Sequence, residues 1–166
     1  MSNVYPDAAE QRCWNHRMRN VLNCVGKKRQ GEAKELLRKV MYAPSRKEAE
    51  AAKKVFCEWA RSYQYEKAAV LLDVDWDRMI AYYAFPKEHW KHLRTTNPTE
   101  STFATIRLRH RRTKGNGTRR ACLAMMFKLA QSAQRGWRLL DGAKLLPDVI
   151  QGILFKDGVR LDQAAA

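Results

Sequence analysis

Ser45-Arg-Lys-Glu48-Ala49-Glu-Ala-Ala52-Lys-Lys-Val-Phe56-Cys-Glu-Trp59-Ala60-Arg-Ser-Tyr63 reads as one helix. Ser45 and Glu48 form a capping box, in which each side chain satisfies a backbone N–H left over at the helix start. Behind it Ala49, Ala52, Phe56, Trp59, Ala60 and Tyr63 recur at three- and four-residue spacing, one apolar stripe on a helix. The same spacing extends in both directions. Met18, Val21, Leu22 and Val25 form one stripe, and Ala33, Leu36, Leu37, Val40 and Met41 form another that stops before Pro44. Ala68, Ala69 and Leu72 predict a shorter helix, and Asp75 is placed to cap one running through Met79, Ile80 and Tyr83 to Pro86. Asn97-Pro98 opens a further helix, with Pro at the first helical position. Lys114-Gly-Asn-Gly117 ends it, and Thr118 caps a long one with Cys122, Met125, Leu129, Ala133, Trp137 and Leu140 inward. Glu10–Trp14 is the one candidate strand near the start. A Pro147-led segment, an Asp157-Gly158 turn and a frayed Gln163-Ala-Ala-Ala166 complete the chain. The fold class is mainly α, without internal repeats or low-complexity linkers.

Charge is concentrated rather than spread. The chain carries 32 Lys and Arg against 17 Asp and Glu, a net of +15. Arg12–Lys39 holds nine basic residues against Glu32 and Glu35, and Arg94–Arg120 holds eight against Glu100, so each nets +7. Val40–Leu93 nets only +1, the mixed charge of solvated helix faces. Two concentrated basic segments point to a polyanion, because each cation seated on a phosphate releases condensed counterions. Solubility alone does not require such clustering. The apolar run Ala121–Phe127 is far too short to span a bilayer, and the start lacks a secretory leader. Cys13, Cys24, Cys57 and Cys122 are too few and too irregular for a secreted disulfide framework. These features predict a cytoplasmic, nucleoid-associated protein without a membrane partner.

The segment Arg94-Thr-Thr-Asn97-Pro-Thr-Glu100-Ser-Thr-Phe103-Ala104-Thr-Ile-Arg107-Leu-Arg109-His-Arg111-Arg112-Thr-Lys114 carries the candidate chemistry. Glu100, Ala104, Arg107 and Arg111 share one side of a helix. A carboxylate beside phosphate-gripping arginines suits metal-assisted phosphoryl transfer, the carboxylate holding Mg²⁺ and the cations holding the strand. The competing reading makes Asn97 and Glu100 a capping pair. Cys13-x-x-His16 and His89-x-x-His92 formally offer four zinc ligands, but no second Cys pair supports a finger, and packing accounts for Cys13, His16 and His89 better. Trp76 and Trp90 are candidates for stacking on bases, although core packing is the alternative for both. Asp73, Asp75 and Asp77 read as helix caps.

Gln11-Arg-Cys13-Trp-Asn-His16-Arg-Met-Arg-Asn20-Val-Leu and Phe85-Pro-Lys-Glu-His-Trp90-Lys-His-Leu-Arg94-Thr-Thr-Asn97-Pro-Thr-Glu100 resemble the Mutator-type transposases of bacterial insertion sequences. The likeness continues through Phe103, Arg107, Arg109, Arg112-Thr-Lys114-Gly115 and Trp137-Arg138. The resemblance implies an RNase H-like fold that cuts and joins DNA with an Asp-Asp-Glu metal triad. Glu100 is similar to the last triad member, and Cys13 and His16 to the Cys-x-x-His motif that follows the second Asp. Arg94, Arg107, Arg109, Arg111, Arg112 and Lys114 become the candidate DNA contacts, with Mg²⁺ as cofactor. The two triad Asp residues would precede Cys13, and Asp7 is not one of them. The expectation is therefore a truncated or split transposase, complete only with a full-length copy or an N-terminal fragment, acting on element ends and target DNA. A stand-alone DNA-binding regulator and an inert remnant are the alternatives. The implied divisions fall at about 1–25 for an RNase H-like strand and helix, 26–86 for a helical insertion, and 87–166 for the Glu-bearing helices and tail.

Overall fold

In the computed structural model, which describes residues 9–113, 117–137 and 139–161, the chain folds as two compact units. Met1–Thr95 and Asp141–Ala166 belong to the first, and Thr96–Leu140 to the second. Asp7, Lys114, Arg138 and the Gln163–Ala166 end lie outside the described residues. Both units are mainly helical.

The first unit is built from α1 (Trp14–Leu22), α2 (Gln30–Met41), α3 (Arg46–Ser62), α4 (Glu66–Asp73), the single turns α5 (Trp76–Met79) and α6 (Trp90–Leu93), and α9 (Leu146–Ile150). The capping box forms: the Glu48 N–H donates to Ser45 Oγ at 3.2 Å, and the Ser45 hydroxyl donates to the Glu48 carboxylate at 3.3 Å. Ala49, Phe56 and Ala60 are buried and Ala52 and Trp59 half-buried. Tyr63 instead lies at the C-terminal end of α3, where the Arg29 guanidinium covers its ring at 3.5 Å. On α2 the buried set is Ala33, Leu37, Val40 and Met41, and on α4 it is Ala68, Ala69 and Leu72. α3 packs on α2 and α4, and α1 on α4 and α2. Burying these stripes supplies most of the stability, since each fully buried aliphatic side chain contributes about 1.5–3 kcal/mol.

Glu10–Trp14 is not a strand: Cys13 is extended, but Trp14 already belongs to α1. The segment's backbone donors go to two unrelated places, the Arg12 N–H to the Arg78 carbonyl at 2.8 Å and the Trp14 N–H to the Arg94 carbonyl at 2.9 Å. A ladder needs one neighbour running alongside, and none lies there among the described residues. Trp14 is fully buried at the start of α1, its ring edge-on to Trp76 and its indole N–H donating to the Met79 carbonyl at 2.8 Å.

The stretch after Asp75 is also broken up. α5 lasts one turn and a 3₁₀ turn over Ala81–Ala84 follows, in place of one helix to Pro86. Asp75 has φ of 61° and caps nothing with its side chain. Its carboxylate instead receives Arg12 at 3.2 Å, Arg17 at 3.1 Å and Arg78 at 3.5 Å. Asp73 pairs with Lys53, and Asp77 with Arg46 at 3.1 Å. Ion pairing, not capping, explains this acidic group.

The C-terminal segment returns to the first unit at residues 83–92. Gly158 donates its N–H to the Tyr83 carbonyl and accepts the Lys87 N–H, each at 3.3 Å. It has φ of 84°, and a Cβ there would lie 2.7 Å from Lys87 Cβ, so the turn requires glycine. Asp157-Gly158 joins β1 (Phe155–Lys156) to β2 (Val159–Arg160), an antiparallel pair with Phe155 opposite Arg160. Positive φ at both turn residues matches the twist of the strands. These are the only strands among the described residues.

The second unit is a pair of helices, α7 (Asn97–Arg112) and α8 (Arg119–Gln134), packed on each other. Thr118 caps α8, its hydroxyl oxygen accepting the Ala121 N–H at 3.2 Å. Cys122, Met125, Leu129 and Ala133 are the half-buried stripe of α8, but no described residue of that helix is fully buried. Trp137 does not continue the stripe. It follows the end of α8 and is 56% exposed, because the helix stops before the spacing can carry it inward.

Tyr82 and Tyr83 sit in the core of the first unit against Trp90, and their hydroxyls donate to the Met41 carbonyl at 3.2 Å and the Ala43 carbonyl at 2.8 Å. Burial pushes both phenols above the ordinary tyrosine value. The folded state thus keeps protons that the unfolded chain releases near pH ~10. The stability they contribute is complete below that pH and is lost as pH rises through it, at about 1.4 kcal/mol per pH unit for one such group. Urea unfolding across the alkaline range should show this loss, and Tyr82→Phe should make it shallower.

Candidate nucleic-acid interface

α7 is exposed over most of its circumference. Ile106 is its one buried residue among those described, with Thr102 and His110 half-buried. A helix with so narrow an apolar stripe gains little from burial and depends on its local electrostatics. Glu100 stands in its first turn, and Arg109, His110, Arg111 and Arg112 in its last. Acid at the N-terminus and base at the C-terminus both complement the helix dipole, at about 0.3–1 kcal/mol each when exposed.

Asn97 is inside α7 rather than at its cap, and Pro98 takes the second helical position. Thr96 is the capping residue, which puts Glu100 one place beyond the reciprocal position of a capping box. The Glu100 N–H donates to the Thr96 carbonyl at 2.9 Å, and the Thr96 hydroxyl donates to the Glu100 carboxylate. The carboxylate itself is exposed.

Glu100, Ala104, Arg107 and Arg111 share one exposed side of α7, whereas Arg109 and Arg112 project elsewhere round the helix and are equally exposed. α8 adds Arg119, Arg120 and Lys128, and Arg135 follows it, all exposed. None of these eight cations forms an ion pair with another described residue. Glu100 is the single acidic residue of Thr96–Leu140. Arg119 and Arg120 have their signal in the same charge run, but the break before Thr118 sets them apart from the motif on α7, and Lys128 and Arg135 lie beyond that run.

The first unit treats its charge differently. Arg12 and Arg17 converge on Asp75, Arg29 pairs with Glu32 at 3.3 Å, and Arg38 with Glu35 at 2.8 Å. Arg19, Lys27, Lys28, Lys34 and Lys39 remain without an acidic partner among the described residues. Arg94 belongs to the first unit. Its Nη1 donates to the Met41 carbonyl at 2.9 Å, and its guanidinium lies over the rings of Tyr42 and Tyr82 at 4.8 and 5.5 Å.

Cys13 is the half-buried residue preceding α1, and His16 is exposed in the first turn of that helix. His89 is buried, and its Nε2–H donates to the Gly142 carbonyl at 3.0 Å. His92 Nε2 accepts the Asp141 N–H at 3.1 Å. With both rings committed to residues 141–142, the four formal zinc ligands are not gathered. Trp90 is buried, and Trp76 is half-buried beneath the Lys53 ammonium, so neither is presented for stacking.

The family described as "Transposase, Mutator family" matches residues 1–139. The chain belongs to that family. This Mutator-family chain is 40% identical over 161 residues to "Transposase for insertion sequence element IST2" of Acidithiobacillus ferrooxidans, covering 96% of the chain and 53% of that relative. It is 41% identical over 160 residues to "Transposase for insertion sequence element IS6120" of Mycolicibacterium smegmatis, covering 96% and 49%. A more distant relative, "Transposase for insertion sequence element ISRM5" of Rhizobium meliloti (strain 1021), is 26% identical over 136 residues, covering 81% and 33%. The chain thus spans about half the length of the first two relatives. No solved structure matches it. No described helix of this transposase-family chain is long and apolar enough to cross a membrane.

The difference between Thr118 and Glu100 is testable by stability. Thr118→Ala removes a formed cap and should cost about 1 kcal/mol in urea unfolding. Glu100→Gln should cost less, within the about 0.3–1 kcal/mol of one exposed charge near a helix start.

Proposed function

We propose that this transposase-family chain binds DNA through the cations of α7 and α8, and that Glu100 is the carboxylate it contributes to Mg²⁺-dependent strand cleavage and joining by the longer enzyme. The observation that carries the reading is the pairing of cations. The first unit neutralises much of its charge internally, whereas Thr96–Leu140 holds eight described cations that pair with no acid. Charge kept unpaired on one helical pair suits a partner that brings its own negative charge at regular intervals, as a phosphate backbone does. Arg107 and Arg111 lie one turn apart on the side of α7 that also holds Glu100. A strand gripped by them would therefore pass the carboxylate.

The Mg²⁺ fit is partial. The ion takes near-octahedral oxygen ligation, usually from one or two carboxylates together with substrate oxygens and water. Glu100 offers one exposed carboxylate, and Thr96–Leu140 has no other acid. That unit alone does not make the site. The partners proposed for the complete activity are element-end and target DNA, and a transposase portion that supplies further carboxylates.

Salt titration tests the binding. If on the order of five phosphates are neutralised, log K against log[salt] for duplex DNA should slope near about −4 to −5. Arg107→Ala with Arg111→Ala should flatten it by about two. Affinity that hardly changes between low and moderate salt would refute the reading.

Cleavage tests the role of Glu100. The chain by itself, with Mg²⁺, should leave a nicked-circle assay unchanged, because in-line displacement at metal ions needs several convergent carboxylates. Nicking by the purified chain that survives Glu100→Gln would assign the chemistry elsewhere.

A further inference from the structure

Phe103, Phe127 and Trp137 are 57%, 60% and 56% exposed, and they are all the Phe and Trp residues of Thr96–Leu140. The first unit does the opposite: Phe56, Phe155, Trp14 and Trp90 are buried, and Phe85, Trp59 and Trp76 half-buried. Scattered exposed apolar residues are ordinary. Here, however, exposure falls on every large aromatic of one unit, the unit whose described cations lack acidic partners among the described residues. Phe103 stands three residues after Glu100 and four before Arg107, so the three share one side of α7. Phe127 lies two helical turns after Arg120 on the same side of α8, and Trp137 comes two residues after Arg135.

We propose that Thr96–Leu140 binds unpaired nucleotides, with Phe103, Phe127 and Trp137 as stacking platforms for bases and the neighbouring arginines on the flanking phosphates. The inference deepens the DNA-binding reading and rests on it. The choice of occupant follows from charge and shape. A second copy of this chain would bring a net +15 against an already cationic unit, which opposes docking. Stacked duplex bases keep their faces covered, so an intact helix offers these rings nothing but its edges. An unpaired base offers a flat π-face, and each arginine supplies both a phosphate contact and a cation for the base plane. On α7 the order Glu100, Phe103, Arg107 gives the arrangement a purpose: a base held on Phe103 keeps its strand open within one turn of the carboxylate.

The experiment uses the full chain and fluorescence anisotropy with a labelled oligo-dT and a duplex of equal length at one salt concentration. Phe103→Ala, Phe127→Ala and Trp137→Ala should each weaken oligo-dT binding by about tenfold and leave duplex binding within about twofold of wild type. Arg107→Ala should weaken both. Saturating oligo-dT should quench tryptophan emission in the wild type, and Trp137→Phe should lose that quenching while keeping the affinity. Leu139→Ala, an exposed aliphatic control, should change neither. If duplex binding shows its steep salt dependence but the aromatic variants bind both DNAs as wild type does, the stacking proposal fails alone, and the exposed rings face a protein instead. The stacking proposal also fails alone if the aromatic variants weaken both DNAs equally. If the wild type binds neither DNA, the DNA-binding reading fails and takes this inference with it.

Discussion

The first unit depends on one carbonyl. Met79 O receives the Trp14 indole N–H at 2.8 Å and the Gln11 side-chain amide at 2.9 Å. Gln11 also accepts the Tyr82 N–H at 2.9 Å, so both polar ends of its amide are used across about seventy residues of chain. A buried indole without an acceptor would carry a desolvation penalty of about 1–3 kcal/mol. The broken backbone over 75–84 is what makes the acceptor available, since a continuous helix would spend that carbonyl on its own ladder. Closure of the unit, the irregular stretch after α4 and the extended approach to α1 are therefore one constraint seen from three sides.

Around that closure the two units use charge in opposite ways. Asp75, held in the left-handed region that Asp tolerates better than most residues, gathers Arg12, Arg17 and Arg78 and ties the approach to α1 to the turn before α5. Arg94, a candidate phosphate contact by its place in the basic segment, spends its guanidinium on Met41 and two tyrosine rings. α7 and α8 show neither habit. Their cations have no such partners among the described residues, and only Ile106 of the pair is buried. One unit obtains stability from its core, and the other keeps its surface for something else.

Regular periodicity is readable wherever a stripe meets a core. The stripes of α2 and α4, the Ser45 and Thr118 caps and the Asp157-Gly158 turn all follow from spacing and local chemistry, which act within a few residues. What escapes reading depends on contacts distant in sequence. Glu10–Trp14 resembles a strand because its residues suit extension, but a strand also needs a neighbour. Asp73, Asp75 and Asp77 resemble caps because nothing local reveals Lys53, Arg46, Arg12 or Arg17. Trp137 continues a stripe by spacing, yet α8 ends before reaching it. At the candidate interface, the exposed run of arginines on α7 is legible as charge. The choice between Trp90 buried and Phe103 exposed is not, because both stand beside cations and only packing separates them.

The second unit leaves the first at Thr96 and the chain rejoins it at Asp141, where the Asp141 N–H meets His92 and its carboxylate pairs with Lys91. The Lys91 ammonium holds that carboxyl below its ordinary value. Departure and return are thus anchored within a few residues of each other on the same short stretch of the first unit. Topologically, Thr96–Leu140 is a cassette hung between neighbouring posts. The entropy of closing such a loop grows only slowly with its length, by about 0.6 kcal/mol for each doubling. Lengthening, shortening or exchanging the cassette therefore leaves the host core nearly undisturbed. The length of this segment is thus only weakly coupled to the scaffold around Met79.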